Sequence, residues 1–222
     1  SGSTAKWIAG ARFHSGFLCA VKNMEGGKYV NTIHILAVDD DPDFRYLLEQ
    51  VISGQPDMQL AAVCKNGTEA LQIALCGKPD IVLMDLELTG SKLNGVEAAR
   101  RIRMETNAKI IILTGDDAPE TTVRASVQAF ASGYVLKSQF SLLLPTIRET
   151  AAGPTPQSNL IFAALLQRLT NAERSVCEQM LGREVELSSA SKTIANQQTS
   201  VLRKLGLNDK QALRHVLSVY IE

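Results

Sequence analysis

From Thr32 onward, apolar and polar positions alternate between two periods. Ile33–Val38 is a short aliphatic run that predicts a strand, and Asp39-Asp40-Asp41-Pro42 ends it. Phe44, Leu47, Leu48 and Val51 then recur at helical spacing. Met58–Cys64 predicts a second strand and Thr68–Leu75 a second helix. Ile81–Met84 is apolar at every position, as a strand covered on both faces requires. Val96–Glu105 is helical in period, Ile110–Leu113 a strand, and Ala118–Phe130 a helix with Pro119 in its first turn, where proline is tolerated. Tyr134–Leu136 and Leu142–Ala152 complete the alternation, with Pro145 disturbing the start of the last helix. Five strands alternating with five helices predict an α/β fold with a five-stranded, doubly wound parallel sheet. The ligand site of such a sheet lies at the carboxyl ends of its strands.

Gly153-Pro154-Thr155-Pro156 breaks the alternation, and beyond it only the helical period remains. Leu160–Leu169, Ala172–Leu181, Thr193–Leu205 and Lys210–Tyr220 are the predicted helices of a small all-α unit. Thr170 or Asn171 is placed to cap the second, and Gly206 to close the third. The expected domains are therefore 33–152 and 159–222, joined by a linker at 153–158. Residues 1–32 show no sustained period. Ser1-Gly2-Ser3 has the look of a tag remnant, and Glu25-Gly26-Gly27-Lys28 is a stretch that purine-rich codons of a ribosome-binding site would encode. The segment is expected to be poorly structured, with natural translation starting near Val30.

The formal net charge is zero, so no global basic field points to nucleic acid. The charge is nevertheless uneven: residues 33–150 carry 16 acidic and 11 basic side chains, and residues 154–222 carry 8 basic and 6 acidic. Two units with different partners are expected. Cys19, Cys64, Cys76 and Cys177 form no CxxC pair, which suits reduced thiols in a cytoplasmic protein. No run of eighteen apolar residues exists, and Trp7–Val21 is interrupted by Arg12 and His14, so no membrane partner is expected.

The chemistry-bearing residues stand just past the strand ends. Asp39 and Asp40 follow the first strand, Asp85 the third, Thr114 the fourth and Lys137 the fifth. A parallel sheet brings all of them to one rim. Clustered carboxylates repel each other, and Mg²⁺, which prefers a few carboxylates, water and phosphate oxygens, relieves the repulsion. A lysine and a threonine hydroxyl would serve a phosphoryl group, with Asp85 as the nucleophile that forms an aspartyl-phosphate.

On these residues the segment from about 33 to 150 resembles the receiver domain of two-component response regulators. Asp39-Asp40, Asp85, Thr114 and Lys137, separated by 45, 29 and 23 residues, fit that family's pattern. Tyr134 matches its switch aromatic, and Gly115 its small residue beside the phosphoryl group. The resemblance implies that Asp85 accepts phosphate from a phosphohistidine on a partner sensor histidine kinase. It implies that Asp40, Asp85 and the Glu87 backbone carbonyl hold Mg²⁺, with Asp39 acting through water. Thr114 and Lys137 would hold the phosphoryl oxygens, and Thr114 moving towards them would let Tyr134 turn inward. Two departures stand out. Thr89 occupies a place where the family usually has proline, and Ser91-Lys92 reads as a two-residue insertion in the loop. In addition, Ser138 follows Lys137 where many receivers have proline, so no cis X-Pro bond is available there.

Leu169-Thr170-x-x-Glu173-Arg174-x-Val176 and Thr193-Ile194 through Val201-Leu202-Arg203-Lys204-Leu205-Gly206-Leu207 resemble the helix-turn-helix output domain of the NarL/LuxR type. The resemblance implies a recognition helix in the major groove of DNA, read by a homodimer. Lys192, Thr193, Asn196, Gln197, Thr199 and Lys204 are the candidate contacts. Gly182–Lys192 supplies only eleven residues between scaffold and recognition helices, about five fewer than the family pattern leads one to expect. A supporting helix of two turns needs about seven residues plus its entry and exit turns. That helix is therefore expected to be missing or reduced to about one turn. The expected function is transcription control through phosphorylation of Asp85. The alternative is a regulator whose degenerate output domain works by protein–protein contact or independently of phosphorylation. A free-standing enzyme is not expected, because no nucleophile–base pair stands outside the acidic cluster and no glycine-rich phosphate loop is present.

Overall fold

The computed structural model describes residues 12–13, 24–25, 28–29, 32–185 and 191–221. Five parallel strands, β4 (Ile33–Val38), β5 (Met58–Cys64), β6 (Ile81–Asp85), β7 (Lys109–Thr114) and β8 (Gly133–Leu136), form the sheet in the order β5-β4-β6-β7-β8. This is the flavodoxin-like order, and its crevice lies where the winding reverses, between β4 and β6. Helices α1 (Pro42–Ser53), α2 (Gly67–Gly77), α3 (Gly95–Glu105), α4 (Pro119–Ala129) and α5 (Leu143–Ala152) connect or follow the strands. A 3-10 turn, Lys137–Leu142, precedes α5.

The central positions of the strands are apolar because each face is covered. Leu36, Val38, Val82, Met84, Ile110 and Ile112 face α2 and α3 in one core. Ile35, Ala37, Ile81, Leu83, Ile111 and Leu113 face α1 and α5 in another. Alternation with period 2 is thus present, but both sets are buried.

The sheet has one strand more than the periodicity predicted. β1 (Arg12–Phe13) pairs antiparallel with β5, Arg12 opposite Val63 and Phe13 opposite Ala62. β5 is otherwise an edge strand, whose free N–H and C=O groups accept any strand that reaches them. β2 (Met24–Glu25) and β3 (Lys28–Tyr29) pair with each other. Apart from Thr32, the remaining positions of the segment expected to be poorly structured lie outside the described residues.

The second unit comprises α6 (Pro156–Leu166), α7 (Asn171–Met180), α8 (Ser191–Leu205) and α9 (Lys210–Leu217), ending in a 3-10 turn at Ser218–Tyr220. α6 begins four residues earlier than its apolar spacing suggested, inside the expected linker. Thr155 and Ser158 form a reciprocal capping box there, with Pro156 at the first helical position. Thr170 and Glu173 form another at α7. Arg183–Val185 is irregular, and residues 186–190, on which the expectation of a missing supporting helix partly falls, lie outside the described residues.

The two units share one apolar core. Val127 and Phe130 of the α/β unit are buried with Ile161, Val176, Leu213 and Val216 of the helical unit. Two arginines of α3 reach across. Arg100 donates to the carbonyls of Leu205 at 2.8 Å and Gly206 at 2.7 Å, where α8 ends. Arg103, 2 % exposed, donates to the carbonyls of His215 at 2.6 Å and Val216 at 3.2 Å, near the end of α9. Both cations thus meet helix C-termini, whose last carbonyls lack intrahelical partners. Gln157 of α6 pairs with edge strand β8, accepting from the Tyr134 N–H at 3.0 Å and donating to its carbonyl at 3.1 Å. Gly133 permits that approach, since a Cβ there would stand 2.8 Å from the Gln157 amide oxygen.

Candidate functional site

The carboxyl ends of β4, β6, β7 and β8 converge as the strand order requires. Asp39, Asp40 and Asp85 have carboxylate oxygens within 4.8 Å of one another. Asp39 and Asp85 are buried, and Asp40 is half-buried. Lys137 closes the group, its Nζ 3.0 Å from Asp85 Oδ2 and 2.8 Å from Asp39 Oδ2. Asp41, which caps α1 through its own carboxylate, donates its N–H to Asp39 Oδ1 at 2.9 Å. Glu87 is exposed, and its N–H donates to Asp85 Oδ1 at 3.2 Å. Thr114 is buried at the end of β7, its hydroxyl accepting the Asp116 N–H at 3.0 Å. The space beside Gly115 is open, with nothing within 4 Å of where a Cβ would stand. Tyr134 is half-buried on β8 against the core.

α3 starts hard against this site. A Cβ on Gly95 would lie 1.9 Å from the carbonyl oxygen of Asp85, so only glycine fits. Asn94 caps the helix by accepting the Glu97 N–H at 2.9 Å.

The electrostatics follow from burial and the lysine. Burial, and secondarily the neighbouring Asp85, raise the Asp39 carboxyl above its ordinary value despite Lys137. Burial works against the Lys137 ammonium, but hydrogen bonding and charge from the two aspartates outweigh it and raise its pKa. A hydrogen bond from Thr89 lowers Asp40. Three hard oxygen ligands set at one rim suit Mg²⁺, with water and phosphoryl oxygens completing its shell. Asp39, Asp40 and Asp85 are the side chains that would hold it.

Three neighbours escaped the sequence pattern. Phe44 places its ring 4.5 Å beneath the Lys137 ammonium and packs edge-on against Phe140. Arg45 donates to the Asp39 carbonyl at 2.7 Å. Thr89 donates to Asp40 Oδ2 from its N–H at 3.1 Å and also from its hydroxyl. Phe44 and Arg45 lie on the first turn of the helix after Asp40, which was the available signal. Thr89 was visible only as a departure from proline.

On α8 the candidates divide. Lys192, Thr193, Asn196 and Thr199 are exposed, and Gln197 is half-buried. Lys204 departs from the expectation. Its ammonium is turned inward onto Glu173 at 2.6 Å, because the capping carboxylate of α7 meets α8 at that point. Exposed Arg203, four residues beyond Thr199, continues the outer stripe instead.

A doubly wound sheet carrying acidic residues, threonine and lysine at its strand ends, followed by a helical unit, is the organisation of a receiver with a helical output domain. The response regulator receiver domain matches residues 35–147, just over half the chain, and the chain belongs to that family. The nitrate/nitrite response regulator protein homolog of Haemophilus influenzae is 28% identical over 197 residues, covering 81% of this chain and 93% of that protein. The transcriptional regulatory protein LiaR of Bacillus subtilis is 28% identical over 201 residues, covering 80% and 93%. The crystal structure of a LuxR-family response regulator from Aurantimonas is 33% identical, covers 61% of this chain and 96% of that one, and has a TM-score of 0.52. The chain is thus a two-component response regulator of the NarL/LuxR type, a transcription regulator. Among the described residues, no helix is long and apolar enough to cross a membrane.

Proposed function

We propose that Asp85 is the phosphoacceptor of this regulator, receiving the phosphoryl group from a phosphohistidine on a sensor histidine kinase. The P–N bond of the donor breaks as an Asp85 carboxylate oxygen bonds to phosphorus. The observation that carries this reading is the Lys137 ammonium 3.0 Å from Asp85 and 2.8 Å from Asp39, at the rim where Asp40 also stands. Lys137 would stay with the phosphoryl oxygens, and the Thr114 hydroxyl would reach them by leaving the Asp116 N–H. Bound Mg²⁺, held by Asp40, Asp85 and the Glu87 carbonyl with Asp39 acting through water, would neutralise charge that develops on the transferring group.

Lys192, Thr193, Asn196, Gln197 and Thr199 are the proposed DNA contacts of α8, with Arg203 added and Lys204 removed. Their support is the exposed stripe of Lys192, Asn196, Thr199 and Arg203 on the helix face opposite buried Val201 and Leu205; Thr193 is exposed beside it, and half-buried Gln197 lies one turn before Val201. Incubation with a small-molecule phosphodonor and Mg²⁺ should add one phosphate, seen by intact mass. Asp85→Asn should abolish it and Asp41→Asn should not; undiminished labelling of Asp85→Asn refutes the assignment.

A further inference from the structure

Asp40 is held by a residue that phosphoryl transfer does not itself require. Thr89 stands four residues after Asp85, on the loop that leads to α3. Its N–H, at 3.1 Å, and its hydroxyl both donate to the same oxygen, Asp40 Oδ2. A carboxylate has about four lone-pair sites on its two oxygens. Two donors on Oδ2 leave Oδ1 as the oxygen with free capacity, and they fix the rotation of the group. The proline that the family usually places here has no N–H and no hydroxyl, so it could supply neither bond.

The loop that carries Thr89 is itself anchored. Leu88 is buried, the Glu87 N–H is bonded to Asp85, and Ser91 Oγ accepts the Gly67 N–H of α2 at 3.1 Å. The Asp40–Thr89 link therefore ties the end of β4 to a loop fixed at both ends. These are the two segments that would hold the cation. Thr89 itself is exposed, so its side chain is not part of the core.

We infer that Thr89 is a positioning residue for the divalent cation: it locks the Asp40 carboxylate in the rotation that presents Oδ1 to the ion. The inference rests on the assignment of Asp40 as a cation ligand. Loss of a hydrogen-bonding partner behind a ligating carboxylate typically costs about 10- to 100-fold in metal affinity, and an exposed partner belongs at the lower end.

The test is calorimetric titration of the unphosphorylated full-length chain with MgCl₂. Thr89→Val keeps the shape and the N–H but removes the hydroxyl, and should weaken Mg²⁺ binding about tenfold. Thr89→Ala should match it, and Thr89→Ser should return affinity to within about threefold of the parent. Asp40→Asn, in parallel, should weaken binding at least as far as Thr89→Val. If Asp40→Asn weakens binding while Thr89→Val is unchanged or tighter, the positioning role is refuted and the ligand assignment stands. If Asp40→Asn binds Mg²⁺ like the parent, the ligand assignment itself falls, and the inference with it.

Discussion

Arg103 offers the sharpest test of how the two units are joined. Its guanidinium is buried and spans the boundary, donating to the carbonyls of Thr106 at 3.2 Å, His215 at 2.6 Å and Val216 at 3.2 Å, and to Ser218 Oγ at 3.4 Å. Each hydrogen bond from a charged donor contributes about 1.5–3 kcal/mol, and a buried acceptor left without a partner costs about 1–3 kcal/mol. Against this stands the penalty for burying a cation, several kcal/mol, which truncation relieves. The balance for Arg103→Ala is a loss of about 3 kcal/mol, since the variant also leaves a cavity where the stem packed. Arg103→Met retains an apolar stem and should lose about 2 kcal/mol, the share due to the carbonyls of α9. In a chain of this size, 1 kcal/mol moves the melting temperature by about 2–4 °C, so Arg103→Ala should melt about 6–12 °C lower. Urea denaturation followed by circular dichroism measures both variants. Because Val127 and Phe130 share a core with α6–α9, the parent should unfold in one transition. Arg103→Met within about 0.5 kcal/mol of the parent would refute the reasoning, showing that the carbonyl bonds only repay desolvation.

Two other perturbations follow from named contacts. The Lys204 ammonium, the Thr170 N–H and the Ser200 hydroxyl together lower the Glu173 carboxyl from its ordinary 4.5 to about 2. A carboxyl depressed by folding contributes stability above its unfolded pKa and loses it as pH falls through the folded one. The acid limb between pH 4.5 and 2 should therefore flatten in Glu173→Gln, with about 2 kcal/mol less stability at neutral pH. An unchanged acid limb in a pH series of urea titrations would contradict the shift. Gly95→Ala would drive a Cβ to 1.9 Å from the Asp85 carbonyl, which is backbone and cannot turn away. That variant should lose more than about 3 kcal/mol or displace Asp85, and a fully stable, phosphate-accepting Gly95→Ala would show that the loop yields instead.

Much of the receiver was legible along the chain, because its signals are local. Strand and helix periods extend over a few residues, and the all-apolar β6 announced a sheet covered twice. The strand ends placed Asp39, Asp40, Asp85, Thr114 and Lys137, since parallel strands carry their carboxyl ends to one edge. A cap for α7 at Thr170 or Asn171 was legible too, and the structure places it at Thr170, in a capping box with Glu173 complete within one turn. Other features depended on which surfaces met. Arg103 reads along α3 as one of several surface charges, and only the arrival of α9 makes it buried. Lys204 looked like a phosphate contact until α7 placed Glu173 against it. β1 joins the sheet because β5 leaves an edge open, and no period marks two residues. Thr89 and Asp40 are 49 residues apart, and their bond exists because the ends of β4 and β6 are neighbours in the sheet. Caps and periods are set by near neighbours in sequence. The partner of a buried charge, or of a carboxylate at the rim, is set by packing between segments whose separation along the chain carries no signal.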